Sequence, residues 1–72
     1  MMGHAEAQAM LGAAHLTGQG VPLDRIEALH WLLRAVASGA GELAAGFLSE
    51  ARAHAKPSQR AEAARRAEEP LA

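Results

Sequence analysis

Apolar residues recur every three or four positions along most of the chain, and glycine and proline interrupt this pattern at three places. That spacing predicts four helices. Their expected bounds are His4–Thr17, Arg25–Ser38, Gly41–Ala55 and Pro57–Glu69. Valine, isoleucine and threonine together supply only four residues, so a β-sheet is not expected. The sequence therefore predicts an all-α fold.

The loop between the first two helices carries strong stop and start signals. Gly18 and Gly20 can adopt the left-handed conformation that closes a helix, and Pro22 cannot continue one. Asp24 is a good N-cap for the second helix, and Glu27 three residues later completes a capping-box pattern. We therefore expect the first helix to end near Gly18 and the second to begin after Asp24.

The apolar stripes predict which side of each helix is buried. In the second helix two stripes adjoin, so we expect neighbours on two sides of it. These stripes are Ile26, Leu29, Leu33 and Val36, and Ala28, Trp31, Leu32 and Ala35. In the first and third helices the expected inward residues are Ala7, Met10, Leu11, Ala14, Leu43, Ala44, Phe47, Leu48 and Ala51. In the fourth they are Ala61, Ala64 and Ala67, or a neighbouring set.

Composition limits the possible functions. The chain has 72 residues and 36 hydrophobic ones, of which 19 are alanine, so it is one small domain with little bulk for a core. The formal net charge of −1 gives no basic footprint for nucleic acid. No apolar run is long enough to span a membrane, and no signal peptide is visible, so a cytoplasmic location is the default expectation. Without cysteine there is no disulfide or thiolate.

Candidate chemical motifs have simpler explanations. The four histidines, His4, His15, His30 and His54, lack metal-ligand spacing, so no metal site is predicted. Residues 39–44 match G-x-G-x-x-A, but a dinucleotide site needs a preceding strand, whereas a predicted helix precedes this one. We interpret it as a junction between helices. Trp31 lies in an apolar stripe, which favours core packing over ligand binding. No cofactor and no enzymatic activity are expected.

The first two helices and their loop resemble the Sel-one-like repeat family, a relative of tetratricopeptide repeats. The likeness covers residues 3–39, in order and spacing: a glycine before Ala-x-Ala-Gln, a Leu-Gly pair, a Gly-x-Gly-Val-x-x-Asp loop and an Ala-x-x-Trp helix. The signature residues are Gly3, Ala7, Leu11, Gly12, Gly18, Gly20, Val21, Asp24, Ala28, Trp31, Ala35 and Gly39.

The resemblance implies an α/α solenoid of antiparallel helix hairpins, a fragment of a tetratricopeptide-like superhelix. Residues 3–39 would be one repeat, residues 40–69 a C-terminal helical hairpin or cap, and residues 70–72 a tail. The segment from Leu48 onward is similar to the closing helices of many bacterial members. Small residues at the helix contacts would permit close approach.

The resemblance also implies a non-catalytic protein–protein interaction or scaffold role. Family members present a concave surface of first-helix residues, which makes Gln8, His15 and Gln19 the candidate contacts with an unidentified protein partner. Self-association is a further possibility. One alternative is a terminal cap or remnant of a longer repeat protein. Another is β-lactam hydrolysis, as suggested for cysteine-rich relatives, whose disulfides this chain lacks.

Overall fold

A computed structural model of the chain describes residues 4–69. Its helices are α1 (His4–Thr17), α2 (Arg25–Ala37), α3 (Gly41–His54) and α4 (Pro57–Glu68). All four predicted helices are confirmed, and the last three each end one residue earlier than expected. The described part of the chain contains no strand, so the all-α helical-hairpin class is confirmed. Gly3 and the predicted tail lie outside the described residues.

The turn between α1 and α2 closes as its glycines predict. Gly18 has a φ of 75°, and its N–H donates to the Ala14 carbonyl at 2.7 Å. The Asp24 N–H then donates to the His15 carbonyl at 3.0 Å. The His15 ring nitrogen Nδ1 lies 3.1 Å from the Pro22 carbonyl oxygen, within hydrogen-bond distance. These bonds fold the loop back onto the end of α1, so α2 starts beside it.

Asp24 caps α2 as expected, but the capping box does not form. The Asp24 carboxylate accepts the N–H groups of Ile26 and Glu27, both at 3.1 Å. The Glu27 carboxylate does not reach back, because the Asp24 N–H is already bonded to α1 and Trp31 and Arg66 bind Glu27 instead. The prediction of a reciprocal box is therefore wrong.

Helix α2 is the central element and contacts all three other helices, while α1 also contacts α3. The neighbours predicted on two sides of α2 are present, and Ala28, Leu29, Leu32 and Ala35 of its predicted apolar arc are buried. Among the described residues the buried apolar core consists of only four leucines and eight alanines. They are Ala9, Leu16, Ala28, Leu29, Leu32, Ala35, Ala40, Ala44, Leu48, Ala51, Ala55 and Ala63.

The buried stripe of α1 is rotated from its predicted position. Ala9, Gly12 and Leu16 are buried, whereas Ala7 is exposed and Met10 is 62% exposed. Both stripes are apolar, so spacing alone does not distinguish them. The stripe that contains Ala9 and Gly12 faces α2, because a close helix contact excludes larger side chains.

Two of the three large apolar residues of α3 also face outward, contrary to the prediction. Leu43 is 47% exposed and Phe47 is 39% exposed, while Ala44, Leu48 and Ala51 are buried as expected. Val36 is exposed as well, and Leu11, Ala14 and Trp31 are half-buried. In α4 Ala61 and Ala64 are exposed and Ala67 is half-buried, so a neighbouring residue faces the core. Ala63 is the buried residue of α4.

Gly12 sets the separation of α1 and α2. A Cβ atom on this residue would lie 2.7 Å from Cγ of Leu32 and 3.1 Å from the Ala28 carbonyl oxygen. Both distances are shorter than ordinary van der Waals contact. The Leu-Gly pair of the repeat signature therefore places glycine where the two helices touch.

We predict that Gly12→Ala destabilises the fold by about 1–3 kcal/mol, because the added methyl group overpacks the α1–α2 contact. Gly46→Ala is the matched control, since a Cβ there meets nothing within 4 Å. The control should gain up to about 1 kcal/mol from helix propensity. Urea unfolding followed by circular dichroism measures both. Equal effects of the two substitutions would contradict the role given to Gly12.

Candidate interaction surface

An open apolar groove lies between α1 and α3. Its volume is about 450 Å³, and its walls are formed mainly by alanine and large apolar side chains. The residues that line this α1–α3 groove are Ala9, Met10, Ala13, Ala14, Thr17, Gln19, Leu43 and Phe47. The groove therefore contains three of the five large apolar side chains that are exposed among the described residues: Met10, Leu43 and Phe47.

Helix geometry explains why these side chains meet. Leu43 and Phe47 are four residues apart on α3, so they lie on one face of the helix. Met10 and Thr17 are two turns apart on the facing side of α1. Because Gly12 packs against α2, the neighbouring stripe of α1, which contains Met10, faces α3 and solvent. Sequence reasoning missed this site because it assigned Met10, Leu43 and Phe47 to the core.

The three predicted contact residues have different positions. Gln19 lines the α1–α3 groove. Gln8 is half-buried, and its Oε1 is buried without a hydrogen-bond partner. His15 is half-buried and lies against the Pro22 carbonyl in the α1–α2 loop. The structure thus brings only Gln19 to the groove, and contact of any of the three with a partner stays a prediction.

Apart from this groove, a cluster of polar side chains, the α2–α4 cluster, joins α2 to α4. Its centre is Glu27, whose Oε2 accepts the Trp31 indole N–H at 3.0 Å and whose Oε1 accepts from Arg66 at 2.9 Å. Arg66 also donates to Glu62 at 2.8 Å. Hydrogen bonds from Arg65 and Arg66 lower the pKa of Glu62 to about 2. The capping-box position thus anchors the last helix.

Arg34 fixes the C-terminal end of α4. Its Nη2 donates to the carbonyl oxygens of Arg66, at 2.8 Å, and of Glu69. The last carbonyls of a helix have no partner within it, so these bonds satisfy them. The Arg34 guanidinium also lies 5.9 Å from the centre of the Trp31 ring. The Arg34 side chain of α2 thus caps α4. Ala63 is the buried residue of α4.

His30 holds Arg34 in this position. The Arg34 Nε–H donates to His30 Nε2 at 2.6 Å, which requires an unprotonated Nε2 and places the ring proton on Nδ1. That Nδ1 is buried without a hydrogen bond and lies 3.7 Å from Glu27 Oε2. Burial is the main cause that lowers the pKa of His30 below 6.5, and Arg34 and Arg66 act in the same direction against Glu27. The hydrogen bond from Arg34 therefore requires His30 to be neutral.

The α2–α4 cluster performs a structural role. Its cations are bonded to carboxylates or to helix carbonyls, and the Trp31 ring packs on His30 with the ring centroids 4.6 Å apart. Within residues 4–69 no group of three or more histidine, aspartate or glutamate side chains could hold a metal ion. None of the described helices is long and apolar enough to cross a membrane. The G-x-G-x-x-A segment follows α2 directly and joins it to α3.

The α1–α2 hairpin is similar in sequence to a known family of repeats. Residues 5–39 match the family model described as Sel1 repeat. The α1–α2 hairpin is therefore similar to a Sel1 repeat. The match covers α1 from Ala5, the glycine loop and α2, as the signature residues predicted, and α3 and α4 follow it. Sel1 repeats typically mediate protein interactions. Searches of curated proteins and of solved structures find no significant match to the chain.

The state of His30 predicts a pH dependence of stability. Because its pKa is lowered by folding, the unfolded chain takes up the proton first as the pH falls below 6.5. The free energy of unfolding should therefore be smaller at pH 5 than at pH 7.5. His30→Gln keeps an acceptor for Arg34 and should flatten this dependence. Urea unfolding across this range measures the effect.

His54→Gln is the control for this experiment, because His54 is exposed at the end of α3. This variant should keep the pH dependence of the natural chain. An unchanged dependence in His30→Gln would show that the histidine of the α2–α4 cluster is not its source. The range also stays above 4.5, the ordinary pKa of Glu62, below which the stabilising contribution of this carboxylate is lost.

Proposed function

We propose that this chain is a non-catalytic protein–protein interaction module that binds its partner in the α1–α3 groove. The carrying observation is that Met10, Leu43 and Phe47 are exposed together on the groove walls. The match to the Sel1 repeat at residues 5–39 supports an interaction role in general. We assign that role to the α1–α3 groove of this chain.

The arrangement of these side chains supports binding. Single exposed apolar residues are common on protein surfaces, but a contiguous apolar depression with a polar edge is typical of interaction sites. Here the depression has Thr17 and Gln19 at one end and large apolar residues on both walls. Methionine and phenylalanine are also among the residue types enriched at protein interfaces. A partner that covers Phe47 and Met10 would remove this surface from water.

A second candidate role is stacking against another helical repeat. A separate depression of about 360 Å³ lies between α2 and α3. Its walls include Val36, Ala45 and Leu48, together with the polar residues Ser49 and Arg52. Exposed Val36 supports this role, because repeat units bury such surfaces against their neighbours. In that arrangement the chain would act as a terminal cap of a longer repeat array.

Site-specific crosslinking distinguishes the two roles. The photoreactive residue benzoylphenylalanine replaces Phe47 in the α1–α3 groove, Ser49 at the α2–α3 depression or Ser58 on the exposed side of α4. We expect a discrete protein adduct from position 47 in cells that express the chain. Excess natural chain should compete for it, and a folded Phe47→Asp variant should not.

Adducts mainly from position 49 would support the stacking role instead. Equal adducts from all three positions, or equal competition by Phe47→Asp, would contradict binding in the groove. Circular dichroism establishes that each variant is folded before it is used.

A further inference from the structure

Charge is unevenly distributed between the groove walls and the rest of the fold. The two walls, α1 and α3, carry three glutamates, Glu6, Glu42 and Glu50, and one cation, Arg52. The other six of the seven lysine and arginine residues lie outside these two helices. The two helices that form the groove walls are therefore acidic as a pair, although the whole chain has a formal charge of only −1.

The helix spacing aligns two of these carboxylates with the apolar stripes of the groove. Glu50 follows Phe47 by three residues and Leu43 by seven, so it shares their face of α3. Glu6 precedes Met10 by four residues on α1. Both glutamates are exposed. Each apolar wall thus continues into an acidic residue on the same helix face.

We propose that the α1–α3 groove binds an amphipathic helix of a partner protein, with an apolar face for the groove and lysine or arginine at its edges. The proposal rests on the function proposed above and adds the chemistry of the partner. Helices that bind in grooves use apolar anchors spaced three or four residues apart, which suits the apolar walls of the α1–α3 groove. A basic edge of the partner helix would lie opposite the exposed Glu50 on the α3 wall.

Charge also argues against a second copy of the chain as the occupant. In a two-fold pairing of grooves the same patch faces itself, so both acidic walls would come together. Like charges at an interface oppose association. The fourth helix of another copy is basic in part, but it carries only alanine as apolar residues between Pro57 and Glu68. It therefore offers no large anchor for Met10 and Phe47.

Labelled synthetic helical peptides test this partner chemistry with the full chain. One peptide has leucines at helical spacing and lysine at its edges, the second has glutamate at the edges, and the third has lysine edges but serine for leucine. Fluorescence anisotropy gives each dissociation constant. We expect the first peptide to bind about tenfold more tightly than the second, and its affinity to fall with added salt. The third should not bind.

Two charge-reversal variants locate the effect. Glu50→Lys should remove most of the preference for lysine edges, because it changes the charge on the groove wall. Glu68→Lys makes the same change at an exposed position on α4 and should leave the preference intact. Phe47→Ala should weaken both leucine peptides.

The outcomes separate this inference from the function on which it rests. Equal binding of lysine-edged and glutamate-edged peptides, with loss of both in Phe47→Ala, would overturn the basic partner and support binding in the groove. Loss of preference in Glu68→Lys as much as in Glu50→Lys would also overturn it. Failure of both leucine peptides to bind, beside a crosslink from position 47, would overturn the amphipathic helix and retain the proposed function.

Discussion

The contact between α1 and α2 at Gly12 is the constraint on which the arrangement depends. Leu32 and the Ala28 carbonyl occupy the space that a side chain on Gly12 would need. Close approach of the two helices selects Ala9, Gly12 and Leu16 as the buried stripe of α1. This choice fixes the rotation of α1 about its axis and leaves Met10 on the outer surface.

The same preference for small residues explains how so little apolar bulk forms a core. Eight buried alanines and four buried leucines suffice because α2 lies among the other three helices and contacts each of them. α4 is held in addition by polar groups: Glu27 binds Arg66, and Arg34 caps its last turn. Met10, Leu43 and Phe47, which this core leaves exposed, line the α1–α3 groove. Packing and the candidate binding surface therefore have one origin.

The sequence predicts the helices and the repeat well and the helix rotations poorly. Glycine, proline and Asp24 act locally, so the helix bounds and the α1–α2 turn follow from spacing alone. The outward direction of Met10 and Phe47 does not, because alanine-rich helices offer two neighbouring apolar stripes and only tertiary packing selects between them. The roles of Glu27 and His30 depend on contacts with α4 that are distant in sequence.

The central claim is that a core of alanine and leucine side chains excludes Met10 and Phe47, which face the groove. Adjacent residues of α3 test it directly, since Leu48 is 8% exposed and Phe47 is 39% exposed. The measurement is the free energy of unfolding in urea for Leu48→Ala and Phe47→Ala. The account predicts a loss of about 2–5 kcal/mol for the leucine variant, enough to unfold a marginal domain, and less than about 1 kcal/mol for the phenylalanine variant. A larger loss for Phe47→Ala would contradict it.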